Sequence, residues 1–178
     1  MTKKYLVVTT IGPDKRGTVE KITGIMLKHQ ANIEQSRMAR LGGEFAVIML
    51  LSLPGEKTDD LLAELDTIKA DGLTAISRET DLSRLRRFEG HVPYEISVTG
   101  ADHEGIVHSV ARYLATERIN VETMDTDITE APHTGTPLFS MYATMQVPPD
   151  LTLGQLRQKL AELGDDLGVD IEVKLLVS

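Results

Sequence analysis

Apolar positions along this chain change period in a fixed order, and the order occurs twice. Residues 5–10 are a β-branched run closed by Gly12-Pro13, which predicts a strand and then a turn. Val19, Ile22, Met26 and His29 follow at the three-to-four-residue spacing of a helix face. Two extended stretches, 32–40 and 44–53, flank Leu41-Gly42-Gly43 and predict a β-hairpin. Leu61, Leu62, Leu65 and Ile68 mark a second amphipathic helix, and residues 73–79 a closing strand. From residue 94 the series repeats, with a strand over 94–99 and a helix carrying Val107, Val110, Ala111 and Leu114. Strands over 120–129 and 138–147 come next, then a helix with Leu153, Leu156, Leu160, Leu163 and Leu167, and a last strand over 170–177.

The repeat is written in residues as well as in periodicity. Asp14-Lys15-Arg16-Gly17-Thr18-Val19 recurs 88 positions later as Asp102-His103-Glu104-Gly105-Ile106-Val107. At the same offset Gly12 meets Gly100, and Asn32-Ile33-Glu34 meets Asn120-Val121-Glu122. Residues 45–54 align with 139–148 at an offset of 94, so six extra residues belong to the loop at 131–137. The division is therefore a first domain over 1–80, a polar, arginine-containing linker over 81–93, and a second domain over 94–178. Leu82, Leu85 and Phe88 give that linker some packing capacity.

The order βαββαβ predicts an α+β, ferredoxin-like fold for each half. Right-handed crossovers place both helices on one face of a four-stranded antiparallel sheet. The run Val47-Ile48-Met49-Leu50-Leu51 is apolar on both faces, which predicts burial on both and contact with another copy of the module, as in a homo-oligomer.

Composition narrows the functions available. Cysteine is absent, which removes disulfides, thiolate metal sites and cysteine nucleophiles, and suits a cytoplasmic protein. No apolar stretch is long enough to cross a bilayer as a helix. The net charge of −8 argues against direct nucleic-acid binding, and at 4% aromatic residues the sheet lacks the stacking platform of an RNA-binding module. Charge is uneven: residues 1–80 hold 11 basic and 11 acidic side chains, residues 94–178 hold 5 and 14. The five histidines, His29, His91, His103, His108 and His133, show no metal-ligand spacing, and no serine sits in a nucleophile elbow. No catalytic residue, metal site or cofactor is expected.

The chemistry that remains lies at two glycine turns. Gly17 and Gly105 stand at helix starts, where backbone N–H groups lack intrahelical partners and favour an anion such as a carboxylate. Asp14 and Asp102 either cap the helix or pair with a ligand ammonium. Asn32 and Asn120, at the start of the next strand, either reach a neighbouring loop or serve a turn.

These turns, with Asn-Ile-Glu or Asn-Val-Glu opening the next strand, resemble the ACT domain. The resemblance spans both halves. In the first half Gly12-Pro13-Asp14-Lys15-Arg16-Gly17 and residues 44–50 are most similar to the group of glycine cleavage system transcriptional repressors. Arg16 and Glu104 stand where the family motif has proline. The resemblance implies a non-enzymatic regulator that binds an amino acid such as glycine. The implied sites are Gly12, Asp14, Lys15, Arg16, Gly17 and Thr18 with Asn32 and Ile33, and Asp102, His103, Gly105 and Ile106 with Asn120 and Val121. It also implies control of amino-acid or one-carbon metabolism through a transcription-factor or enzyme partner. A protein–protein interaction module without a ligand is the alternative.

Overall fold

The computed structural model describes residues 2–82 and 88–176. The first module runs β1 (Lys3–Pro13), α1 (Thr18–Lys28), β2 (Asn32–Leu41), β3 (Glu44–Pro54), α2 (Thr58–Thr67) and β4 (Thr74–Thr80). The second repeats it as β5 (Val92–Ala101), α3 (Ile106–Thr116), β6 (Asn120–Glu130), β7 (Pro137–Val147), α4 (Leu153–Leu167) and β8 (Val169–Leu175). Contacts divide the chain into two compact units, Met1–Arg86 and Arg87–Ser178. Within the predicted linker, Leu85 lies outside the described residues, and the Phe88 ring stands edge-on to His91 at 5.5 Å.

The sheets have matching orders, β2-β3-β1-β4 and β6-β7-β5-β8, with every neighbouring pair antiparallel. Gly42 and Gly43, both at positive φ (59° and 86°), close the β2–β3 hairpin in two residues, as a type I′ turn requires. The β6–β7 hairpin closes instead through residues 131–136, four more than in the first copy, and the added Glu130–Pro137 pair takes up the other two of the six. A bulge interrupts β2 between Ile33 and Gln35, and β6 at the same place, between Val121 and Thr123.

Each module has one core, between one sheet face and both helices. In the first, Leu6, Val8, Val47, Met49 and Leu51 meet Ile22, Ile25 and Met26 of α1 and Leu61 and Leu65 of α2. The α1 core face is Thr18, Ile22, Ile25 and His29, a spacing of four, three and four. Val19 does not belong to it. One residue on from Thr18, it is rotated about 100° around the helix and is 49% exposed. Val107 departs from the α3 face in the same way, with Ile106 buried in its place.

Within the single chain Ile48 is 47% exposed, so the middle of β3 is buried on its helix side and its other face stays open. Gly164 lies inside α4, where a β-carbon would come 2.6 Å from the Val169 carbonyl oxygen. The small residue lets α4 approach β8 closely.

Thr10 carries a testable asymmetry. Its side chain is fully buried and its hydroxyl has no partner among the described residues, whereas the equivalent position holds the fully buried Val98. An unpaired buried hydroxyl is destabilising, so Thr10→Val is expected to stabilise the first module by about 1 kcal/mol. Urea denaturation measures it, and an unchanged or lower midpoint contradicts it.

Candidate functional site

The two glycine turns open onto equivalent clefts. In the first, Asp14, Lys15, Gly17, Thr18 and the opening turn of α1 face Met38 and Arg40 on β2, with Phe45 of β3 buried at the base. Register explains the grouping. Phe45 pairs with Gly12 on one side and Arg40 on the other, which brings the end of β1 and the hairpin together. The Asp14 N–H donates to the Gly43 carbonyl at 3.0 Å and ties the loop to the hairpin turn. In the second, Asp102 N–H donates to the Pro137 carbonyl at 3.0 Å, and Phe139 pairs with Gly100 and Ile128. The clefts measure about 700 and 500 Å³, within the range of small-molecule sites.

Both helices at these clefts begin on a left-handed glycine, Gly17 (φ 86°, ψ −4°) and Gly105 (φ 95°, ψ −8°), and neither has a side-chain cap. By contrast, α4 starts with a full capping box between Thr152 and Gln155. Asp14 therefore does not cap α1. Its carboxylate accepts from the Arg40 guanidinium at 3.3 Å instead. Thr18 donates its hydroxyl to the Lys15 carbonyl at 2.8 Å, which tightens the turn.

The loops are also fastened to the far end of their modules, with a different cation in each. Lys15 donates its ammonium to the Asp71 carbonyl, at the end of the turn that follows α2. In the second module His103 replaces it. Its Nε2 lies 2.7 Å from the carbonyl of Leu167, the last residue of α4, and its Nδ1 lies 3.0 Å from the Glu104 carbonyl. Carbonyl oxygens only accept, so both contacts are satisfied only when both ring nitrogens carry protons. The Glu104 and then the Leu167 carbonyl hold the imidazolium pKa above its ordinary value, and the Asp102 charge adds to this.

That shift has a definite sign. A folded-state pKa above the unfolded one stabilises the module below about pH 6.5, and the gain is lost as pH rises through the folded value. The second module is expected to melt at higher temperature at pH 6 than at pH 8, with that difference attenuated in His103→Lys. An identical pH dependence in the variant refutes the latch.

Several implied site residues lie together, and others do not. Asp14, Lys15, Gly17 and Thr18 line the first cleft, and Asp102, His103, Gly105 and Ile106 the second. Asn32 and Ile33 line a neighbouring groove that shares Glu20 and Thr23 with the first cleft. The Asn32 side chain hydrogen-bonds the Glu34 carboxylate, which Ser52 above all, then Asn32 and Lys3, hold below its usual pKa. Gly12 is a β1 residue against Gly72 and Leu73, and Arg16 is exposed outside the cleft lining. Asn120 is half-buried beside Gln146, and Val121 packs on the core.

The cleft walls hold residues that reading the loops alone misses. They are Val19, Met38, Arg40 and Phe45 in the first module, and Val107, Thr126, Ile128 and Phe139 in the second. The Gly42-Gly43 turn held the signal, because its register places Arg40 opposite Phe45 and Phe45 opposite Gly12. Arg40 and Ile128 occupy equivalent places, so the cation that holds Asp14 has no counterpart beside Asp102. No group of three or more histidines and carboxylates among the described residues is placed to hold a metal ion.

Two βαββαβ modules in tandem, each with an uncapped helix start over a cleft, define a protein built of paired α+β modules. The ACT domain family matches residues 4–75 and 95–174, and the chain belongs to that family. It is 49% identical over 51 residues to the glycine cleavage system transcriptional repressor of Escherichia coli strain K12, covering 29% of this chain and 27% of that one. The match thus spans about a quarter of that relative's length. A crystal structure of a protein from Galdieria sulphuraria is 30% identical and covers 99% of this chain and all of its own, with a TM-score of 0.82. A structure of a putative glycine cleavage system transcriptional repressor shares the fold over the full length of both chains, at 20% identity and a TM-score of 0.72.

Proposed function

We propose that this chain is a non-enzymatic regulator that binds an amino acid, glycine or one of similar size, in one or both clefts. One observation carries the reading: in both modules a helix starts on a left-handed glycine without a side-chain cap, at the wall of a cleft. The free first-turn N–H groups and the helix dipole suit the ligand carboxylate, and Asp14 or Asp102 suits its ammonium. Likeness to a transcriptional repressor of the glycine cleavage system supports a role in amino-acid or one-carbon metabolism. With a net charge of −8 disfavouring direct contact with DNA, such a role in the cytoplasm runs through a protein partner. For the ligand to regulate, it must bind one arrangement of the protein better than another.

Calorimetry with a panel of amino acids tests the proposal. The expected result is saturable heat for a small zwitterion, with Asp14→Ala and Asp102→Ala weakening the cleft that binds. No heat from any member up to millimolar concentration sinks it.

A further inference from the structure

The two clefts are built alike and differ in how the loop carboxylate is engaged. In the first module the Arg40 guanidinium reaches from β2 to the loop and donates to Asp14 at 3.3 Å. Register puts Ile128 in the place of Arg40, since Arg40 pairs with Phe45 as Ile128 pairs with Phe139. Among the described residues the Asp102 carboxylate therefore accepts no hydrogen bond and forms no ion pair, and it acts on His103 through its charge alone. The same edge strand adds a second carboxylate, because Asp127 lines this cleft where β2 has Ala39. The lining of the first cleft sets Asp14 and Glu20 against Lys15 and Arg40. That of the second sets Asp102 and Asp127 against two histidines, His103 and His108. The helix starts differ as well. The Thr18 N–H donates to the Lys15 carbonyl at 3.3 Å, whereas no carbonyl among the described residues accepts from the Ile106 N–H.

We infer, on the reading of this chain as an amino-acid regulator, that Arg40 sorts the ligand between the clefts: the second is the amino-acid site, and Arg40 keeps amino acids out of the first. An amino acid brings one ammonium and one carboxylate. It needs a protein carboxylate that no cation already holds, beside N–H donors that no carbonyl already takes. The second cleft offers both, in Asp102 and in the Ile106 N–H at the start of α3. In the first cleft a ligand ammonium must displace the guanidinium from Asp14 and then remain beside it. Displacement by itself costs little, because the Arg40 side chain is 72% exposed and an exposed ion pair is weak. The larger penalty is the repulsion between two cations that share one carboxylate. Together the two amount to about tenfold in affinity. Glycine meets this penalty in full, since it has no side chain with which to gain contacts elsewhere in the cleft.

NMR titration of the isotope-labelled full chain reads each cleft separately, through the amide signals of Gly17 and Gly105. The probes are glycine, alanine and serine. In the wild type Gly105 is expected to shift saturably, and Gly17 only at concentrations about tenfold higher or more. Arg40→Ile is expected to lower the Kd of the first cleft about tenfold, and Ile128→Arg to raise that of the second by a similar factor. Arg40→Lys keeps the charge and should leave the first cleft closed. Both positions are exposed, Ile128 by 58%, and unchanged signals elsewhere show that each variant is folded. A wild type in which Gly17 responds as early as Gly105 overturns the sorting and leaves an amino-acid regulator standing. So does a first cleft indifferent to Arg40→Ile, or a second indifferent to Ile128→Arg. No shift at either glycine with any probe, in the wild type and in Arg40→Ile alike, removes the regulator and the sorting together.

Discussion

Gly100→Ala is expected to destabilise the second module by about 2–3 kcal/mol, the upper end of the usual cost of overpacking. A β-carbon at Gly100 would lie 2.8 Å from Cγ1 and 3.1 Å from Cα of Val169. Val169 pairs directly with Gly100 in the β5–β8 ladder, so the strand cannot retreat without losing the hydrogen bonds that begin β8. Gly12 repeats the arrangement, with the Gly72 carbonyl oxygen at 2.7 Å and Leu73 Cδ2 at 2.8 Å. Here the requirement is for space. Larger residues should therefore be worse in order of size, with Val worse than Ala. Pulse proteolysis with mass-spectrometric mapping of the fragments shows which module has weakened. A Gly100→Ala protein as resistant as the wild type would mean that the strands yield more easily than their ladder implies.

Substitution at Gly17 or Gly105 is expected to act through conformation instead. A β-carbon at either position meets nothing within 4 Å, yet φ is 86° and 95°. An L-residue in this region costs about 1–2 kcal/mol, less for asparagine, which enters it more readily than alanine. The expected order of tolerance is therefore Gly, Asn, Ala, Val, although asparagine is larger than alanine. Ligand binding should suffer more than stability, because rotation at this residue swings the first-turn N–H groups away from the cleft. Calorimetry beside urea denaturation separates the two effects. Alanine tolerated better than asparagine would show that space, not φ, sets the requirement.

The contrast between these two glycine pairs also shows what could be read from sequence. Repetition at an offset of 88 marks Gly12, Gly17, Gly100 and Gly105 alike, and it cannot say that one pair answers to a neighbouring strand and the other to its own dihedral angle. The βαββαβ order, the hairpin at Gly42-Gly43 and the loop at 131–137 were legible, because each depends on local periodicity or turn chemistry. The α1 face was displaced by one residue, since Val19 is more apolar than Thr18 and only the helix start decides which of them turns inward. The clefts were half legible. Their loops carry a repeated motif, but Met38, Arg40 and Phe45 enter through strand register, which couples residues nearly thirty positions apart. His103 was visible as a residue, and its latch to Leu167 was not, because that contact spans 64 positions.

Each cleft is walled by backbone of unequal permanence. Its loop continues from β1 or β5, an inner strand paired on both sides, while the opposite wall is β2 or β6, an edge strand paired on one side. Amide hydrogen exchange in the free protein should follow that division, slow in the inner strand and fast along the edge, where local opening needs the loss of one ladder only. A ligand held between the loop and the edge strand would then leave the exchange of β1 or β5 almost unchanged and slow that of β2 or β6. Occupancy of either cleft would be legible in the strand that the empty protein holds least tightly.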